Sequence, residues 1–204
     1  MVGSEMNRRQ AMRTLATGAV GAATSAVWVE SLSALARRQA HAHVAEAGIA
    51  RQDWIPRVLT ARQNDAVIAL TELIIPDTGP APGTPGAKAA RVNRFVDTVL
   101  QGAAPADREK FMKGLAWTDA RSKTLFGKDF LAASAAEQTA LLTRISKDGN
   151  PDGEDPIGPE FFRAIKVITI NGYYTSEIGL HQELGDDGVL FMAQFLGCTH
   201  PEHQ

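Results

Sequence analysis

Pro159-Glu160-Phe161-Phe162-Arg163-Ala164-Ile165-Lys166-Val167-Ile168-Thr169-Ile170 is the stretch on which the fold class turns. Taken alone, Val167-Ile168-Thr169-Ile170 suits a β-strand, because runs of β-branched residues pack well on a pleated surface. The longer window decides otherwise. Phe161, Phe162, Ile165 and Ile168 recur at the three- and four-residue spacing of one helix face. Pro159 suits a first helical turn, where its missing N–H has no bond to lose. The spacing predicts a long helix beginning at Pro159.

The same period runs through the rest of the chain. Val92, Phe95, Val96, Val99 and Leu100 predict a helix from about Lys88 to Gln101, closed by Gly102. Thr60-Ala-Arg-Gln63 is a capping box opening a helix through Ile75, with Val67, Leu70 and Ile74 on one face and Pro76 as its stop. Pro105 can start another that turns Phe111, Met112 and Leu115 inward, and Ser134-Ala-Ala-Glu137 caps one that buries Leu141, Leu142 and Ile145. No alternating hairpin pattern occurs. The expected fold is all-α, a compact single-domain bundle of about five to seven helices around one core. Two Pro/Gly-rich loops, 76–86 and 147–159, are long for such a domain, and at least one is expected to lie along a partner.

Ahead of the bundle stands a different kind of segment. Asn7-Arg8-Arg9-Gln10-Ala11-Met12-Arg13 leads into a weakly apolar run, Leu15 to Val29, and Ala34-Leu35-Ala36 offers an A-x-A-like cleavage site. This three-part layout reads as an export signal over residues 1–36, with Arg8 and Arg9 as the pair of a twin-arginine signal. Ala11 and Met12 depart from the apolar pair usual in that motif, and paired arginines also occur in ordinary secretory signals. The run is too diluted by Gly, Ala and Thr to span about 30 Å of hydrocarbon comfortably. Residues 37–204 are left as one helical domain of ordinary size. The twin-arginine route carries folded proteins, so this chain or a partner bound to it is expected to acquire a cofactor in the cytoplasm.

Composition narrows the chemistry. The chain has 21 basic and 23 acidic side chains, a net charge of −2, without the basic stripe of a nucleic-acid binder. Cys198 is the only cysteine, so no internal disulfide can form. The usual dinucleotide, P-loop, nucleophile-elbow, haem-attachment and zinc-protease motifs are all missing from the sequence. Cys198, His200 and His203 are zinc-type ligands at close spacing, yet they sit by the terminus without a fourth partner. Asp148, Asn150 and Asp152, followed by Gly153, copy the start of a calcium loop. The bidentate acid due at the twelfth position is replaced by Pro159, which favours an acidic surface turn over a calcium-dependent structural module.

Asn171-Gly172-Tyr173-Tyr174-Thr175-Ser176-Glu177-Ile178-Gly179 gathers two phenols, two hydroxyls and a carboxylate at the end of the last long helix. A free-standing exported enzyme could use Tyr173, Glu177 and His181 as acid/base groups if a pocket brought them together. The more economical reading makes Gly172 and Gly179 turn residues, gives Thr175 or Ser176 a capping role, and leaves Tyr173, Tyr174, Thr175 and Glu177 as a partner-facing patch. Cys198, where a final helix gives way to the tail, is a further candidate for contact with a partner, either buried or disulfide-linked.

With this block in view, the chain resembles the gluconate 2-dehydrogenase subunit 3 family, the small subunits of bacterial flavin-dependent dehydrogenase complexes. The residues that carry the resemblance are Leu70-Thr-Glu-Leu-Ile-Ile-Pro76-Asp77, Thr84-Pro-Gly-Ala-Lys88, and Phe161-Phe162 through Ile165-Lys166 and Thr169 to Gly172-Tyr-Tyr-Thr-Ser-Glu-Ile-Gly179. Residues 102–158 match only in being helical and polar. The resemblance implies a non-catalytic escort that binds a signal-less flavoprotein of the glucose-methanol-choline oxidoreductase type in the cytoplasm. Its own signal, recognised by the twin-arginine translocase, would carry the pair to the periplasm, where the small subunit stabilises its partner. The cofactor, FAD, then sits in the partner and none is held by this chain. In many such complexes a multihaem cytochrome c subunit carrying haem c takes the electrons onward and holds the complex at the membrane. Substrates are sugars, sugar acids, polyols or glycosides, and the small subunit does not disclose which.

Overall fold

The computed structural model describes residues 27–40, 54–79, 83–147, 150 and 152–186. Arg8, Arg9, Asp148, Cys198, His200 and His203 lie outside the described residues. Within them the chain is helical throughout, with one isolated antiparallel bridge between Asp77 and Pro85 and no strand. The elements are α1 (27–40), α2 (Ala61–Ile74), α3 (Gly86–Ala89), α4 (Val92–Gly102), α5 (Pro105–Phe126), α6 (Ala135–Ser146) and α7 (Ile157–Tyr174). A 3-10 turn, Phe130–Ala132, precedes α6, and a π-helical turn, Ile178–Glu183, follows α7. No helix among the described residues is long and apolar enough to cross a membrane.

Helix α7 is the hub. It packs against α2, α4, α5 and α6, and Phe161, Ala164, Ile165, Ile168 and Thr169 are buried along it. Its 167–170 run is helical, as the wider spacing predicts. Phe111 of α5 meets Phe161 edge-on, ring centroids 5.1 Å apart at 71°. Each fully buried Leu, Ile or Phe contributes roughly 1.5–3 kcal/mol, so Leu70, Phe95, Leu100, Phe111, Leu141 and Phe161 together outweigh any single polar contact.

Local signals hold where they are self-contained. The Thr60–Gln63 and Ser134–Glu137 boxes both form, each hydroxyl accepting from the N3 amide while the N3 side chain reaches back to the cap. Pro105 opens α5 and Gly127 closes it in the left-handed region.

Two expectations are corrected. The predicted helix from Lys88 to Gln101 is two helices, because Arg91 adopts φ 55°, ψ 38° between α3 and α4. A left-handed non-glycine residue costs on the order of 1 kcal/mol. Burial of Ala87 and Val92, both at 0 % exposure, and the bond from the Ala87 N–H to the Ile75 carbonyl at 2.9 Å offset it. Gly172, read as a turn residue, lies inside α7. A Cβ there would stand 2.7 Å from the Phe95 ring, so its smallness serves close packing of α7 on α4.

Candidate functional site

Two of the blocks that carry the family resemblance, 70–77 and 84–88, are joined around Glu72, and the end of the third, at Tyr173, lies close to them. Glu72, on the last turn of α2, is the organiser. Its Oε1 accepts from the Asp77 N–H at 2.8 Å and its Oε2 from the Lys88 N–H at 2.7 Å, so one carboxylate clamps both ends of the loop between α2 and α3. Inside the loop the Thr78 N–H donates to the Thr84 carbonyl at 2.9 Å, and the Gly79 N–H donates to Asp77 Oδ1 at 2.8 Å. The Thr84 hydroxyl donates to the Pro76 carbonyl. Gly86, at φ +82°, is required at the clamp, since a Cβ would lie 2.6 Å from Glu72 Oε1. The described parts of the loop are thus a built turn.

The end of α7 packs on α2 near Glu72. Tyr173 has 0 % exposure and its ring meets that of Tyr174 edge-on at 5.1 Å. The Tyr174 hydroxyl donates to Glu183 Oε1 at 2.9 Å. The Tyr173 hydroxyl and Glu183 Oε2 are both buried without a hydrogen-bond partner among the described residues. Burial first, then the neighbouring Glu183 carboxylate, with smaller contributions from Tyr174 and Glu72, pushes the Tyr173 phenol well up. For Tyr174 the bond to Glu183 leads and burial follows, again raising it. Neither phenol is prepared to give up a proton near neutrality. Ser176 does the capping foreseen for this block: its hydroxyl accepts from the Gly179 N–H at 3.0 Å and donates to the Tyr173 carbonyl at 2.6 Å. The Thr175 hydroxyl is turned to the Asn171 carbonyl at 2.6 Å.

The acid/base trio of the enzyme reading is not assembled. Tyr173 is in the core beside Glu183, Glu177 is exposed, and the exposed His181 ring pairs through Nδ1 with the Asp186 carbonyl. The partner-facing patch is also corrected in one member. Tyr173 is a core side chain, while Tyr174 and Thr175 are half-buried and Glu177 is exposed. At the former calcium candidate, the Asn150 side chain is spent on the Glu154 backbone, 2.6 Å to its carbonyl and 3.0 Å from its N–H, and Asp152 pairs with Lys147 at 2.8 Å. No cluster of metal-type ligands occurs among the described residues.

Tyr173→Phe removes a buried hydroxyl without a partner while keeping the ring, so stability is expected to stay level or rise by about 1 kcal/mol. A loss of more than that on urea denaturation would show that the hydroxyl is bonded in solution.

Glu72, Asp97 and Glu154 carry much of the polar organisation; of the three, only Glu72 falls in a block that the family resemblance marks, and none has a role readable from the sequence. Asp97 and Glu154 act on partners ten or more residues away, so no short-range pattern marks them. Asp97 accepts from the Arg57, Val58 and Leu59 amides, and Glu154 pairs with Arg121 and Arg144.

A family model described as Gluconate 2-dehydrogenase subunit 3 matches residues 61–187, from the first residue of α2 past the turn that follows α7. No curated protein and no solved structure matches the chain.

Proposed function

The chain belongs to the gluconate 2-dehydrogenase subunit 3 family and is thus a small subunit of a dehydrogenase complex; on that premise we propose that it acts as a non-catalytic escort. It binds the folded flavoprotein subunit, of glucose-methanol-choline type, in the cytoplasm and carries it through the twin-arginine translocase. In the periplasm it stays attached and stabilises its partner. FAD belongs to the flavoprotein, and a multihaem cytochrome c subunit with haem c accepts the electrons and keeps the complex at the membrane. The substrate is a sugar, sugar acid, polyol or glycoside.

The observation that carries this reading is how the family-type residues are employed. Glu72 spends both carboxylate oxygens on backbone amides and Tyr173 is sealed in the core. They hold together an end of the bundle where α7 packs on α2, with Tyr174 and Thr175 half-buried and Glu177 exposed just beyond them. A preformed surface of this kind suits a binding partner, because little ordering cost remains to be met on association. The charge pattern of Asn7-Arg8-Arg9 supplies the export address.

The test is to change Arg8 and Arg9 together to Lys, which keeps the charge and alters only the geometry of recognition. Folding is expected to be unaffected, while partner dehydrogenase activity in the periplasm falls to background and accumulates in the cytoplasm. Periplasmic activity at the wild-type level would overturn the escort reading.

A further inference from the structure

Helix α1 precedes the family match and lies in the stretch whose sequence reads as the end of the export signal. Its packing is that of a core helix. Trp28, Leu32 and Ala36 succeed one another at four-residue steps with exposures of 2 %, 0 % and 0 %. The opposite face, with Glu30, Arg37 and Arg38, is open to solvent. This is the one-sided pattern of a helix laid on a folded domain. Polar ties fix its position: the Trp28 indole N–H donates to Glu160 Oε2 at 3.0 Å in the first turn of α7, and the Ser31 hydroxyl donates to Asp107 in the first turn of α5. At its far end Leu35 lies against Gly102, the last residue of α4.

We propose that α1 is a permanent element of the mature subunit, which begins no later than Val27, so the signal is not removed at Ala36. The place of the cut rests on the export reading; the structural role of α1 does not. A peptidase needs its scissile bond extended and accessible, and the bond after Ala36 is inside a helix beside a residue with 0 % exposure. If the chain crosses the membrane folded, α1 is already packed when the peptidase meets it. Cutting there would also remove the buried Trp28 and Leu32 from the core and break the ties of α1 to α7 and α5. Thr24-Ser25-Ala26 places small residues directly ahead of α1, and a signal ending at Ala26 falls within the usual ~15–30 residues, which one ending at Ala36 exceeds.

Two measurements test this. Intact mass and N-terminal sequencing of the subunit in its periplasmic complex are expected to give a chain starting at Val27, and a chain starting at Arg37 would overturn the proposal. In the full chain, Leu32→Asp is expected to lower the melting temperature by about 8 °C or more, while Arg38→Ala on the open face shifts it by less than about 2 °C. Equal melting temperatures for wild type and Leu32→Asp would overturn the core role of α1. That second readout holds for protein purified from any compartment, so failure of export and failure of this proposal are told apart.

Discussion

Replacing Asp97 with alanine is expected to cost about 3–5 kcal/mol, the largest loss foreseen for any single side chain in the bundle. Asp97 is 2 % exposed on α4. Its Oδ2 accepts from the Arg57 N–H at 2.8 Å, and its Oδ1 from the Val58 and Leu59 N–H groups at 3.0 Å each. Hydrogen bonds to a charged acceptor contribute roughly 1.5–3 kcal/mol apiece, and three amides lose theirs at once. Partial hydration of the amides nearer the surface keeps the total below a simple sum. Because these amides lead directly into the Thr60 cap, α2 is expected to loosen at its start. Asp97→Asn is the sharper control. It preserves volume but turns one oxygen into an N–H₂ group facing a donor, and is expected to cost about 2–4 kcal/mol. Urea denaturation of both variants measures this, and an Asn variant as stable as wild type would show that the anchoring is not electrostatic.

Glu154→Gln is expected to cost about 2–4 kcal/mol at pH 7. The Glu154 side chain is 2 % exposed, accepts from Arg121 Nη2 and from Arg144 Nε at 2.8 Å each, and has Arg121 Nε as an ion-pair neighbour at 2.7 Å, drawing α5, α6 and the 147–157 loop to one point. Breaking a fully buried pair costs about 3–5 kcal/mol, since the stranded charge loses both partner and water. Here the arginine side chains are 27 % and 37 % exposed and can rehydrate in part, which sets the lower range. Burial acts to raise the Glu154 carboxyl, but the hydrogen bonds and charges of Arg121 and Arg144 prevail and hold it below the ordinary glutamate value. A depressed folded-state value stabilises the protein above the unfolded value, about 4.3, and that stabilisation is lost as pH falls below it. The advantage of wild type over Glu154→Gln should therefore be full at pH 7 and shrink toward pH 3. An advantage independent of pH over that range would mean that packing, not charge, is what the substitution removes.

What the sequence legibly contains is whatever is decided within one or two helical turns. The Thr60 and Ser134 boxes, the Pro105 start and the apolar faces of α4, α6 and α7 are each set by residues three or four apart, so they are realised almost residue for residue. The family resemblance was legible for a related reason. Its blocks are continuous in sequence because each builds one turn or helix end.

The rest was decided by contacts between segments far apart in the chain. Arg91 leaves the helical region because α3 must dock on the end of α2, and Gly172 is small because Phe95 crosses α7 there. Tyr173 looks like a surface residue beside Tyr174, yet it faces the core while its neighbour remains half-buried. Helix α1 reads locally as the close of a signal, since small and apolar residues such as Ala34, Leu35 and Ala36 suit a cleavage site, and the same residues also suit a buried stripe. Helical period and capping are local properties, so the all-α class, the caps and the family can be read without the fold. Which face of α1 is covered, which tyrosine is buried and where Glu72, Asp97 and Glu154 find their partners depend on how the helices pack. Burial and the pairing of a charge are energies between segments that meet only when the chain is folded.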